Sequence, residues 1–217
     1  MADPADTPPR SPRRTDTSDP RASRARALKI LFQADIRGVP CDETLATLEG
    51  DAAARAILDD TDAEDLAAAT VAGDADGAAA SDAASAAADA GPEARTRAAR
   101  TAAEARVPAI DGFTRSLVLG VGNHLPELDA LIGRYARRWQ ISRMPVVDRT
   151  VLRLATHELL HETTPPAVVI DEAVNLAKSL STDDSGRYVN GVLESIRREV
   201  ARQQDASPDT ADGSASH

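Results

Sequence analysis

Asp171–Ile196 reads DEAVNLAKSLSTDDSGRYVNGVLESI, and the spacing of its apolar residues decides the fold class. It predicts two helices separated by the polar turn Ser181-Thr182-Asp183-Asp184-Ser185. Pro165 and Pro166 open the first, because a proline in the first helical turn loses no intrahelical hydrogen bond. Thr163 and Thr164 stand where caps are expected. Val169, Ala173, Val174, Ala177 and Leu180 recur at helical spacing, with Asp171, Glu172, Asn175 and Lys178 on the other side. Asp183, Asp184 and Ser185 offer side-chain oxygens to the free N–H groups that begin the second helix. That helix carries a stripe of Val189, Leu193, Ile196 and Val200. Tyr188 lies about 100° off the stripe, by the rotation per helical residue, which leaves its ring partly exposed. Such a ring can stack on a nucleic-acid base while helix-start amides face phosphate. The alternative is a tyrosine packed at the core edge with its hydroxyl in water.

The helical pattern continues outward. Further helices are predicted over Arg24–Arg37, within Asp42–Leu48, and over Ile110–Val121, Leu125–Arg138 and Pro145–His161; the quoted pair covers Pro166–Ser181 and Ser185–Arg202. No alternating run of β-branched and aromatic residues bounded by turns occurs, so no strand is expected and the fold class is all-α. The segment from Pro145 is apolar on much of its circumference (Val147, Val151, Leu152, Leu154, Ala155, Leu159), which marks it as the central helix. With aromatics at 2%, the core must be built from Leu, Val, Ile and Ala.

Composition divides the chain. Residues 1–20 are Pro, Asp, Thr, Ser and Arg with scarcely an apolar side chain, and are read as a disordered arm. Residues 21–200 form a single helical domain, interrupted at about 50–106 by an acidic, alanine-rich stretch containing GDADGAAASDAASAAADAGPEA. Alanine favours helix but has little surface to bury, so this insertion is expected to be mostly disordered or loosely helical. Residues 201–217 are a polar tail.

The formal charge of −10 would argue against a nucleic-acid partner if it were uniform. It is not: residues 1–40 carry a surplus of +3, residues 41–106 carry −10, and residues 107–200 are nearly balanced. The acidity is local to the insertion. Cys41 is the only cysteine, which excludes an intramolecular disulfide framework and a cysteine-based zinc site. No secretory h-region and no apolar run of membrane-spanning length occur, so a soluble, cytoplasmic protein is expected. Basic charge that is nearly all arginine, with abundant alanine, points to a GC-rich genome.

One motif belongs to another class. His157-Glu158-Leu159-Leu160-His161 matches H-E-x-x-H, which on a helix places two histidines one turn apart for zinc, with a glutamate as general base. Thr164 and Ala167 stand where the extended pattern needs Gly and His, and nothing selects Glu172 or Glu194 as a third ligand. No strand is predicted along which a peptide substrate could align. The metallopeptidase reading is therefore set aside: no metal, no cofactor and no catalytic residue are expected. The histidines are read as polar residues closing a helix, favoured there by the dipole.

The first helix carries a second signal. Leu28, Leu31, Phe32 and Ile36 make its buried face, while Arg26, Lys29, Gln33 and Arg37 fall on the opposite one, preceded by Arg10, Arg13, Arg14, Arg21 and Arg24. A basic arm leading into a basic helix face is a footprint for nucleic-acid phosphates, although a solvated basic face is the commoner meaning.

SRARALKILFQADIRG, FTRSLVLGVGNHLPELDALIGRY, VDRTVLRLATHELL and VIDEAVNLAKSLSTDDSGRYVNGVLESI together resemble the NusB family of bacterial transcription antitermination factors. The resemblance implies two small perpendicular three-helix bundles plus an extra helix. It implies a non-enzymatic factor that binds boxA, a short single-stranded RNA element of ribosomal RNA leaders, together with the ribosomal protein NusE, so that RNA polymerase reads through terminators. Matched by position, the RNA-binding residues are Arg21, Arg24, Arg26, Lys29 and Gln33 of the first helix, then Asp184, Ser185, Arg187, Tyr188 and Asn190, with Gly191 completing the motif. The surface for the ribosomal protein matches Asp148, Arg149 and Pro166. The arm, the acidic insertion and the tail depart from the family pattern. Related domains also precede ribosomal RNA cytosine methyltransferases, but no glycine-rich cofactor segment or α/β domain follows here, so that activity is not expected. Some family members self-associate, which leaves a homodimeric scaffold with its RNA surface occluded as the alternative.

Overall fold

The computed structural model describes residues 19–60, 108–137, 139–181 and 183–205. Among these residues the chain forms α-helices α1 (Pro20–Arg37), α2 (Cys41–Gly50), α3 (Ala52–Asp60), α4 (Gly112–Tyr135), α5 (Val146–His161), α6 (Pro166–Leu180) and α7 (Asp183–Asp205), with a 3₁₀ turn at Ile141–Arg143 and no strand. Among the described residues, no helix is long and apolar enough to cross a membrane.

Local sequence sets most of the helix ends. The Asp19 carboxylate accepts the Arg21 N–H at 3.1 Å and Pro20 occupies the first helical position of α1. Gly38 closes that helix in the left-handed region (φ 63°), where its N–H reaches the carbonyls of Ala34 and Asp35. Asp111 caps α4 through the Thr114 N–H. Pro166 is the first residue of α6, as expected, but no side chain caps that helix, so Thr163 and Thr164 do not play the predicted role.

α5 is the central helix. It is buried almost continuously from Val147 to Glu158 and packs against α1, α4, α6 and α7. On one side of it α1, α2 and the first part of α4 close over Leu28, Leu31, Leu45, Leu48, Leu117 and Val121. On the other, α6 and α7 close over Val169, Ala173, Ala177, Val189, Leu193 and Ile196. The core is aliphatic, with Phe32 and Met144 as its bulkier members. At roughly 1.5–3 kcal/mol per fully buried aliphatic side chain, this shared core is what holds the two groups of helices on α5.

Three features depart from the sequence reading. The segment predicted as two helices, 110–121 and 125–138, is one helix, α4, with Pro126 inside it. A proline in a helix interior is unfavourable by about 3 kcal/mol relative to alanine. Burial of Val121, Leu128, Leu131 and Ile132 along one continuous face outweighs that penalty. The second is α3, which occupies residues that the sequence reading assigned to the insertion. Leu58 is buried against the core, Asp51 accepts the N–H groups of Ala53 and Ala54, and Arg55 donates to the carbonyls of Leu48 and Glu49. One leucine and a good cap are enough to dock a short alanine-rich helix. The rest of the predicted insertion lies outside the described residues. Third, Ile36, expected on the buried face of α1, is 49% exposed; Ala27 and Ile30 are buried in addition to Leu28, Leu31 and Phe32.

Candidate nucleic-acid interface

The arginines of α1 face inward more than the sequence suggested. Arg24 is buried, and its Nε and Nη2 donate to the Glu158 carboxylate of α5 at 2.9, 3.0 and 2.7 Å. Its guanidinium also lies 5.3 Å from the Phe113 ring centroid. Arg26 reaches Asp59 of α3 at 3.0 and 3.3 Å and Asp111 at 3.6 Å. The Lys29 ammonium donates to the carbonyls of Leu58 and Asp59 at 3.2 Å, closing the last turn of α3. With its amide oriented to accept, Gln33 takes two bonds from the Arg37 guanidinium at 3.1 Å. Arg21 alone of the predicted set is well exposed, 3.6 Å from Glu172. The basic face of α1 is therefore largely spent on holding α3, α4 and α5.

The α6–α7 turn presents the opposite picture. Asp184 and Arg187 pair with each other at 3.1 Å and are both mostly exposed. Asn190 is exposed as well. Ser185, by contrast, is buried and donates to Asp148 Oδ2 at 3.0 Å, while its Oγ lies 2.9 Å from that of Ser181. Asp148 is itself buried, and burial raises its carboxyl pKa against the lowering by the Ser185 and Ser181 hydroxyls. Arg149 is tied to Asp35 Oδ2 at 3.0 and 2.5 Å and to the Ile141 carbonyl at 3.1 Å. Of the residues matched to a protein partner, only Pro166 is exposed, followed by Ala167 and the 46% exposed Val168.

Tyr188 is half-buried, packed against the core, and its hydroxyl has no partner among the described residues. Burial raises its pKa, and the Asp148 charge adds to that. The ring is partly open, as its place off the stripe implies, but the hydroxyl is buried and not in water, unlike the core-edge alternative. Asp148 Oδ1 is likewise buried without a partner.

These residues border one open groove of about 1090 Å³ between α7 and the end of α4. Asp148, Asp184, Ser185, Arg187 and Tyr188 line it, together with Tyr135, Arg137, Trp139, Arg198 and Arg202. Trp139 is 49% exposed. Arg202 pairs with Glu199 at 2.8 Å, whereas Arg137 and Arg198 have no ion-pair partner among the described residues. Three aromatic rings among four guanidinium groups give stacking faces beside phosphate-binding charge. Sequence reasoning missed the far half of this groove. Its signal was present: Arg187, Gly191, Ser195, Arg198 and Arg202 follow helical spacing on one face of α7, and the single tryptophan follows Arg137 and Arg138.

The H-E-x-x-H histidines lie on α5, but the structure corrects the reason for dismissing them. A third histidine is at hand: His124 of α4 stands beside His157 and His161. The motif's glutamate is not available as a base, because Arg24 holds both Glu158 oxygens.

An all-helical body with an arginine- and aromatic-lined groove offers stacking faces beside cationic groups, and the comparisons with known proteins specify the family. The NusB family model matches residues 86–198, more than half of the chain. The chain belongs to the NusB family. It is 49% identical over 106 residues to a transcription antitermination protein NusB of Streptomyces avermitilis, a match that covers 45% of this chain and 74% of that protein. A second, of Solibacter usitatus, is 47% identical over 93 residues, covering 43% of this chain and 64% of the relative. The solution structure of NusB from Aquifex aeolicus shares the fold, with a TM-score of 0.50 at 19% identity over 90% of this chain and 98% of that one.

Proposed function

We propose that the protein is an RNA-binding transcription antitermination factor. It takes boxA RNA of ribosomal RNA leaders together with the ribosomal protein NusE, within an RNA polymerase complex that reads through terminators. The observation that carries this reading is the groove in which Tyr135, Trp139 and Tyr188 stand among Arg137, Arg187, Arg198 and Arg202. Unstacked bases of a single strand gain from aromatic faces, and its phosphates from guanidinium groups, whereas duplex RNA hides its bases. Asp184 in the groove lining and Asn190, exposed on α7, add polar contacts for base edges. On α1 the exposed Arg21 adds positive charge, Arg26, Lys29 and Gln33 reach the RNA only beside the partners they already hold, and Arg24 and Ser185 act from within, by fixing α1 to α5 and α7 to α5. For the ribosomal protein, the exposed apolar start of α6 at Pro166 and Val168 supplies the contact surface, with Asp148 and Arg149 positioning the adjoining helix. The test is a titration of the full chain with labelled boxA RNA and a scrambled strand, with and without the ribosomal protein. Salt-dependent preference for boxA is expected; equal affinity for both strands under both conditions would refute the reading.

A further inference from the structure

His124 sits on α4, and His157 and His161 sit one turn apart on α5, the helix against which α4 packs. One ligand nitrogen from each of the three lies within 4.8 Å of the others. His124 stacks on both other imidazoles, with ring centroids 4.2 Å from His161 and 5.7 Å from His157, and the His157 and His161 rings are tilted to each other at 5.0 Å. Gly120 makes the cluster possible, since a Cβ there would collide with Nε2 and Cε1 of His157. The Gly120 carbonyl also accepts from His124 Nδ1 at 2.8 Å. A carbonyl can only accept, so Nδ1 carries the proton and the His124 Nε2 lone pair is free. His157 is 4% exposed, and its Nδ1 has no hydrogen-bond partner among the described residues. Burial, with the neighbouring His161 and His124, pushes its pKa down to about 4. His161 is exposed and leaves the site open to solvent.

We propose that His124, His157 and His161 bind a divalent transition-metal ion of the zinc class, clamping α4 to α5. Three neutral imidazoles suit Zn²⁺, Co²⁺, Ni²⁺ or Cu²⁺ and not Mg²⁺ or Ca²⁺, which select oxygen ligands. With metal–nitrogen distances of about 2.0–2.1 Å, two ligands on one tetrahedral ion lie about 3.3 Å apart. The trio therefore closes by at most about 1.5 Å, a movement open to the exposed His161 ring. Water completes the coordination. The site is not a peptidase centre, because Glu158 is bonded to Arg24 and no other carboxylate on the motif's spacing replaces it as a base. Its effect is on the joint between α4 and the central helix α5, and it does not depend on the RNA-binding reading.

The test uses the full chain without a histidine tag, stripped of metal and titrated with Zn²⁺ and separately with Co²⁺. One ion per chain at low micromolar affinity, a rise in melting temperature with Zn²⁺, and visible Co²⁺ absorption are expected. His124→Ala and His161→Ala should each weaken binding at least tenfold, while His217→Ala, in the tail, should leave it unchanged. Binding weaker than about 100 μM, or binding that persists in both the His124 and His161 variants, would overturn the proposal.

Discussion

The arginines of α1 and those of α7 are the same residue type on helices of similar length, and the structure uses them differently. On α1, Arg24 is buried against Glu158 and Arg26 is paired with Asp59 and Asp111. On α7, Arg187, Arg198 and Arg202 stand along an open groove beside Tyr188 and Trp139. The difference teaches that a cluster of arginines in a sequence marks positive charge but not where that charge is spent. A guanidinium beside a buried carboxylate is part of the scaffold; one beside an exposed aromatic ring is available to a ligand.

The sharpest way to break this comparison is to remove the buried member. Arg24→Ala leaves the Glu158 carboxylate buried without its partner, and unfolding in denaturant should show a loss of about 3–5 kcal/mol. Replacing both, Arg24→Met with Glu158→Leu, should recover most of that loss. If Arg24→Ala left stability unchanged, Arg24 would not be part of the scaffold.

The groove should respond in affinity before stability. Trp139→Ala should lower affinity for boxA RNA by about 1–3 kcal/mol, the range for aromatic stacking on a base, with little change in melting temperature because the ring is half exposed. Tyr188→Ala should lower RNA affinity comparably but also destabilise the fold, since that ring packs against the core. Tyr188→Phe should keep both, because it retains the π-face and removes a buried hydroxyl that has no partner among the described residues. Thermal melts and RNA titrations on the three variants separate stacking from packing.

A smaller effect sharpens the charge side. Arg198→Ala should weaken RNA binding and flatten the slope of log affinity against log salt by about one unit if it meets one phosphate. Arg26→Ala, already engaged with two carboxylates, should flatten it less. Equal changes would mean that α1 and α7 contribute alike.

The smallest effect concerns the cap that joins α1 to α4. Burial raises the Asp111 pKa, but hydrogen bonds from the Thr114 hydroxyl and N–H and the Ser23 hydroxyl outweigh it, and the net shift is downward. The stability from Asp111 is thus fully present above its unfolded pKa, about 3.9, and is lost as pH falls through the lower folded value. Asp111→Ala should lose about 1 kcal/mol at neutral pH. Asp111→Asn, which can still cap, should lose less there and flatten the acid limb of a stability–pH profile.

Much of the fold was legible because helix periodicity is local. The central helix at Pro145–His161, the pair around the Ser181–Ser185 turn and the aliphatic core follow from apolar spacing that α5, α6 and α7 display. The continuity of α4 through Pro126 was not legible, since it depends on which neighbours bury both flanks. Nor was α3, where burial of Leu58 in the core makes a short alanine-rich helix worth forming. The near rim of the groove was readable from the motif at Asp184–Gly191; the far rim had a signal in its arginine spacing, but only packing joins Tyr135, Arg137 and Trp139, from the end of α4 and the segment after it, to α7.

The amino-acid order by itself determined the all-helical class, the position of the central helix and the residue types offered to a ligand, because each depends on spacing within a turn or two. Only tertiary structure decided which arginines are buried and which are free, and that His124 joins a motif 33 positions further along the chain. Those outcomes depend on which helix faces meet across α5, and packing between distant segments is not encoded in the spacing of any one of them.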